Sequence, residues 1–194
     1  MAKAAAKAKA KAAAKATAKA RAGPVVILPL APAPVGRPSA PSWNVLAVGD
    51  WYACLFASVR QAREVMVASC LFDHRQLTDL FVQRLRDSRP FELSLIVDKE
   101  GFDERTCYHQ RARLRALRNA GAHIWICRGC HSRGRMHMKA VVVDRRLNFS
   151  GGLNLTDKSM SNEELCYRMH GEQVAAVVHQ FAEVRNRGQL WDGA

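Results

Sequence analysis

The chain has 194 residues and a formal net charge of +13, room for one domain of ordinary size plus a tail. The charge is uneven. Residues 1–42 hold Lys3, Lys7, Lys9, Lys11, Lys15, Lys19, Arg21 and Arg37 with no acid, while the remainder carries 22 basic and 17 acidic residues. Both parts favour an anionic partner, nucleic acid or an acidic membrane surface, and no apolar run is long enough to span a bilayer, so any membrane contact would be peripheral.

Residues 1–22 are almost wholly Ala and Lys, with lysines at 3, 7, 11, 15 and 19. Helix propensity is high, but alanine offers no large face to bury, so a disordered or transiently helical basic arm is expected. An acid-free, Ala-rich arm suits a transit peptide to the mitochondrion or another organelle, although its shortage of Arg and Ser departs from the usual mitochondrial composition; a nuclear-import or nucleic-acid-binding tail is the rival reading. Residues 23–43 are Pro-rich around Val25-Val26-Ile27-Leu28 and read as a linker, which puts the tail at 1–43 and the folded domain at 44–194.

Leu55, Phe56, Val59 and Ala62 lie at helical spacing and predict a first helix over about 50–63. Val65 to Phe72 is a continuous apolar run of strand length. Leu77, Leu80, Phe81 and Leu85 mark a second helix, stopped by Ser88-Arg89-Pro90. Leu93 to Val97 reads as another buried strand ending at Asp98, followed by a loop through Gly101. A helix over about 104–120 comes next, with Leu114 and Leu117 inward and Gly121 as its stop. His123 to Cys127 is a further strand, Glu164 to Met169 another, and Val174, Val177, Val178 and Phe181 define a closing helix. Helices alternating with apolar strands predict an α/β fold, a sheet flanked by helices.

Between these elements lies His137-Met-Lys-Ala-Val-Val-Val-Asp-Arg-Arg-Leu-Asn-Phe-Ser-Gly-Gly-Leu-Asn154. On a strand, positions i and i+2 share a face, so His137 and Lys139 point the same way. Ala140 to Val143 is β-branched and apolar, as in a buried strand. Asp144 and Arg145 suit a turn, Leu147 to Phe149 a second strand, and Gly151-Gly152 a sharp backbone change. An imidazole nucleophile, an ammonium and an amide so placed could attack a phosphodiester and hold its oxygens.

The segment resembles the signature of the phospholipase D superfamily: His-x-Lys, four residues, Asp, six residues, Gly-Gly or Gly-Ser, and Asn two further on. His137, Lys139, Asp144, Gly151, Gly152 and Asn154 fill every position. The resemblance covers about residues 50–190 and implies a single-copy phospholipase D-like mixed sheet flanked by helices. It implies His137 as nucleophile through a phosphohistidine, Lys139 and Asn154 on the phosphoryl oxygens, and a downstream glutamate, Glu164 or its neighbour Glu163, orienting the imidazole. Asp144 carries over as a buried polar partner that stabilises the site. No cofactor or metal is called for. Two such histidines are needed, one attacking and one protonating the leaving group. This chain has one, which implies a homodimer with a twofold axis through the active site.

Gly152 stands where the nuclease and cardiolipin-hydrolase relatives usually have Ser, and Gly-Gly looks more like the phosphatidyltransferase branch. The short single-copy layout looks more like the cardiolipin hydrolase and bacterial nuclease group. The resemblance therefore implies an anionic phospholipid of the cardiolipin type as substrate, with single-stranded nucleic acid as the alternative and a transferase or an inactive scaffold further behind.

Arg128, Arg133 and Arg135 sit in the loop leading into His137, where Gly129 and Gly134 let it bend, and are expected to meet a polyanionic substrate along with Gly151 and Gly152. Arg111, Arg115 and Arg118 share a helix face and read as solvated. Six scattered cysteines (Cys54, Cys70, Cys107, Cys127, Cys130 and Cys166) with no secretory h-region ahead of them read as reduced thiols of an intracellular protein. Cys127-x-x-Cys130-His131, with Cys107 and His109 upstream, has zinc-like spacing, but Cys127 reads as the end of a core strand and the group is expected to be structural.

Overall fold

The computed structural model describes residues 42–103, 109–130 and 134–193. The expected basic arm, nearly all of the Pro-rich linker, the first residues of the 104–120 helix with Arg105 and Cys107, and His131 and Arg133 lie outside the described residues.

An eight-stranded mixed sheet organises the domain. Its strands are β1 (Ser42–Leu46), β2 (Glu64–Ser69), β3 (Glu92–Asp98), β4 (His123–Cys127), β5 (Lys139–Val143), β6 (Leu147–Gly151), β7 (Cys166–His170) and β8 (Gln189–Leu190), in the order β1-β7-β6-β5-β2-β3-β4-β8. β2, β3 and β4 run parallel, and the remaining pairs are antiparallel. Helices α1 (Val48–Gln61), α2 (Arg75–Arg86), α3 (Lys99–Asp103), α4 (Gln110–Ala120) and α5 (Gln173–Asn186) connect them.

Strand alternation splits the core into two layers. Val65, Val67, Leu93, Leu95, Val97, Ile124, Val141 and Phe149 point to one side, where they meet Leu55 and Val59 of α1, Leu77 and Phe81 of α2, and Leu114 and Leu117 of α4. Met66, Ala68, Ile96 and Val142 point to the other, under Val174, Val178, Phe181 and Val184 of α5. α4 ends where expected: Gly121 adopts φ 114° and its N–H donates to the Arg118 carbonyl, a left-handed stop that glycine takes without steric cost.

Several features differ from the sequence reading. β1 begins at Ser42, inside what reads as linker, and pairs along β7. Around Gly101 the chain forms the short α3 instead of an open loop, because the Asp98 carboxylate accepts the Gly101 N–H at 2.9 Å. A side chain at Gly101 would collide with the Cys70 carbonyl. The α4 arginines have partners: Arg111 reaches Asp103 at 3.1 Å, and Arg115 and Arg118 donate to the carbonyls of Gly193 and Trp191.

Candidate active site

Register brings Lys139, Gly151 and the chain leading into Lys139 to one end of the sheet. Lys139 pairs with Ser69, the last residue of β2, Ala140 pairs with Ser150, and Gly151 pairs with Cys166 at the start of β7. His137 lies two residues before β5, and its ring meets the side chain of Lys139. Lys139 Nζ stands 3.1 Å from both Nδ1 and Nε2 of His137 and 3.1 Å from its carbonyl oxygen. The imidazole is exposed and Lys139 is half-buried.

The neighbouring ammonium, then burial, then Arg135 hold His137 below the ordinary histidine range, against an opposing pull from Asp98. A neutral, nucleophilic imidazole is therefore favoured at neutral pH. Burial also lowers the Lys139 ammonium, opposed by Cys70 and by the Glu164 carboxylate. Glu164 thus acts on Lys139 through its charge. Among the described residues the hydrogen-bond partner of the His137 ring is Lys139, not Glu164. Glu163 is exposed.

Glycine makes room for this packing. A Cβ on Gly151 would strike the Leu165 carbonyl, and one on Gly152 would strike the Glu164 carboxylate. The Gly152 N–H donates to Leu165 O at 3.2 Å. Gly152, Glu163, Glu164, Leu165 and Tyr167 line an open depression. Asn154 follows in a loop hitched to β2, since Leu155 N–H donates to Ser69 Oγ at 3.1 Å. Ser69 is the cross-strand partner of Lys139, so this bond brings Asn154 to the lysine's side of the sheet end. Its buried Oδ1 lacks a hydrogen-bond partner among the described residues, which suits an amide kept for a ligand.

Asp144 requires a correction. It is exposed, not buried, and occupies the β5–β6 turn with φ 49°, at the end of β5 remote from His137. Its Oδ1 accepts the Arg63 and Glu64 N–H groups at 2.8 and 2.9 Å. The carboxylate therefore clamps the turn to the start of β2 and touches none of the site. The rise of β5 alone separates Lys139 from Val143 by about 13 Å.

The arginine loop is pinched at its neck, where Gly129 N–H donates to Gly134 O at 2.9 Å and a Cβ on Gly129 would collide with Gly134. Arg128 is exposed beside it. Arg135 bonds to Asp98 at 3.2 Å and reaches Glu100 at 3.4 Å, so it is committed to carboxylates as well as facing the site. Asp98, which is 1% exposed, also accepts the Met136 N–H at 2.8 Å. The sequence reading gave Asp98 no part beyond ending a strand. Its signal was there: an acid closing a buried strand must find partners. Cys127 ends β4 as expected. Its thiol is pushed up to about 11 by burial and lies 3.5 Å from the Val184 carbonyl, while Cys130 is exposed.

A family model described as "Cardiolipin synthase, PLD-like domain" matches residues 56–185, about two thirds of the chain. No curated protein matches the sequence. Among solved structures, NucT from Helicobacter pylori is similar at 17% identity and a TM-score of 0.67, covering 78% of this chain and 99% of that one. Nuc from Salmonella typhimurium, a phospholipase D family member, is similar at 15% identity and 0.65, covering 78% and 98%. Phosphatidylserine synthase from Haemophilus influenzae Rd KW20 is similar at 17% identity and 0.59 over 78% of this chain and 39% of its own. At these identities the likeness to the solved structures is one of fold.

Proposed function

The chain belongs to the phospholipase D-like family of phosphodiester hydrolases, and on that premise we propose that it cleaves an anionic phospholipid of the cardiolipin type through a phosphohistidine on His137. The pairing of an exposed imidazole with Lys139 Nζ at 3.1 Å carries the reading. A phosphate oxygen between them would draw the ammonium onto itself and leave a ring nitrogen to attack phosphorus. The new N–P bond forms as the P–O bond to the leaving alcohol breaks, and that alcohol takes a proton from an acid. Water then attacks phosphorus, releases the phosphomonoester and restores His137. Lys139 and Asn154 stabilise the charge on the non-bridging oxygens, the interaction that strengthens in the transition state. Glu164, drawn to Lys139, keeps the ammonium on the substrate side.

The leaving-group acid is a second His137, supplied by a second copy across a twofold axis. On this reading the monomer is inactive.

The lipid preference rests on the sheet face beside the depression. Trp43, Val45 and Leu165 are 62%, 54% and 64% exposed, and register sets Trp43 opposite Met169 and Val45 opposite Tyr167, two residues from Leu165 on β7. These apolar groups suit acyl chains, and the cations of residues 3–37 suit an anionic headgroup layer. Those same cations, with Arg128 beside the site, favour a second reading, single-stranded nucleic acid. The deciding test is a side-by-side assay of cardiolipin vesicles and a single-stranded oligonucleotide in EDTA, with His137→Ala as control. Cleavage of vesicles alone, lost in the variant, supports the lipid reading. Cleavage of the oligonucleotide alone overturns it in favour of the nuclease.

A further inference from the structure

Three bonds converge on one buried carboxylate just behind the nucleophile. Asp98 ends β3 and takes the Gly101 N–H at 2.9 Å, the Met136 N–H at 2.8 Å and Arg135 Nε at 3.2 Å. Met136 is itself buried, at 3% exposure, and its neighbour is His137. A carboxylate this deep is stable only with such partners, and they tie together two segments, α3 and the stretch that leads into His137. Gly101 N–H fixes α3, whose Glu100 lies 3.4 Å from the same Arg135 Nε that Asp98 holds. Met136 N–H fixes the last backbone unit before the histidine. Arg135 is held by Asp98 through its Nε, close enough for its charge to act on His137.

His137 precedes β5 and so lacks the ladder bonds that hold Lys139. Its position must come from elsewhere. We propose that Asp98 is a positioning residue that sets where His137 stands, by gripping the backbone and the arginine immediately before it. The proposal rests on the reading of His137 as nucleophile. Misplacing a nucleophile by about 1 Å costs on the order of a hundredfold in rate, and the Asp98–Met136 bond is one peptide away from that displacement.

The clamp also sets the charge around the imidazole. His137 is faced by Lys139 from β5, by Arg135 from the preceding segment and by Asp98 from β3. Glu164 bears on Lys139, and Glu100 on Arg135. Asp98 raises the imidazole's pKa while Arg135 lowers it. Asp98→Asn and Arg135→Gln therefore move it in opposite directions, which loosening of the fold would not do.

The experiment is a histidine ring titration by NMR on the full chain, with His137 assigned by the signal lost in His137→Ala. It is paired with turnover of bis(p-nitrophenyl) phosphate, a chromogenic phosphodiester. Expected are a lower His137 pKa in Asp98→Asn, a higher one in Arg135→Gln, and a fall in kcat of at least tenfold in Asp98→Asn with KM changed less than threefold. A folded Asp98→Asn protein with the parent's titration and kcat overturns the proposal. If Asp98→Asn does not fold, Arg135→Gln decides, and an unmoved titration there overturns it. If the parent does not turn over the probe, the His137 ring and backbone NMR shifts decide, and an Asp98→Asn protein in which the His137 amide is unshifted overturns the proposal. His137→Ala with full activity removes the nucleophile reading itself, whereas an inactive His137→Ala beside a fully active Asp98→Asn removes only the positioning role.

Discussion

Asp144→Ala separates holding the fold together from performing the chemistry. Asp144 is a letter of the motif, yet its Oδ1 serves two backbone N–H groups at 2.8 and 2.9 Å at the end of β5 remote from the site. Losing both bonds costs about 1 kcal/mol each. Alanine at φ 49° adds up to about 1 kcal/mol, because Asp tolerates the left-handed region better. The sum, about 2–3 kcal/mol, corresponds to a Tm roughly 5–10 °C lower for a domain of this size. Turnover per folded molecule at 25 °C should stay within a factor of about three, since no bond at His137 or Lys139 changes. Asp144→Asn keeps an acceptor and a residue at ease in that turn, and should lose less than half as much. Thermal melts by circular dichroism and initial rates on the same samples provide the comparison. A Tm within 1–2 °C of the parent together with activity as low as His137→Ala would refute the reasoning.

Three further outcomes follow from the site. kcat/KM should follow a bell with pH: its acid limb reports the His137 that must be neutral to attack, held below the ordinary histidine range, and its alkaline limb the protonated His137 of the second copy that serves as acid. Lys139→Met removes the largest cause of that depression, so the acid limb of kcat/KM should move to higher pH while kcat itself drops at least a hundredfold; an acid limb that stays put would contradict the assigned cause. Gly152→Ser places a Cβ where the Glu164 carboxylate now lies. Expulsion of Glu164 from beside Lys139 should lower kcat about tenfold, and Gly152→Ser combined with Glu164→Ala should cost no more than Glu164→Ala alone, which a rate assay on the three variants checks.

The central elements were legible because their apolar runs are continuous or helically spaced: Glu64–Ser69, Glu92–Asp98, His123–Cys127 and the helices against them sit close to their expected places. β1 was not. Ser-Trp-Asn-Val-Leu leaves Trp43 and Val45 exposed, so it lacks a strong burial pattern, and among the described residues its only strand partner is β7. β8 is two residues long, too short for any period to show. Within the site, fixed spacing placed His137 and Lys139 together because both depend on local strand alternation. Asp144 was misplaced because spacing gives sequence distance and not which strand end faces the chemistry. Asp98 went unseen because its partners, Met136 and Arg135, are 38 and 37 positions away, and they reach it through the sheet order β5-β2-β3, with β5 antiparallel to β2 and β2 parallel to β3.

The nucleophilic role of His137 can be tested by trapping the covalent intermediate. A substrate labelled with ³²P at the phosphodiester, quenched in alkali within one turnover and digested, should yield a phosphorylated peptide containing His137, with the acid-labile, base-stable behaviour of phosphohistidine. His137→Ala should yield none. Turnover at full rate with no label on that peptide, or label on another residue, would contradict it.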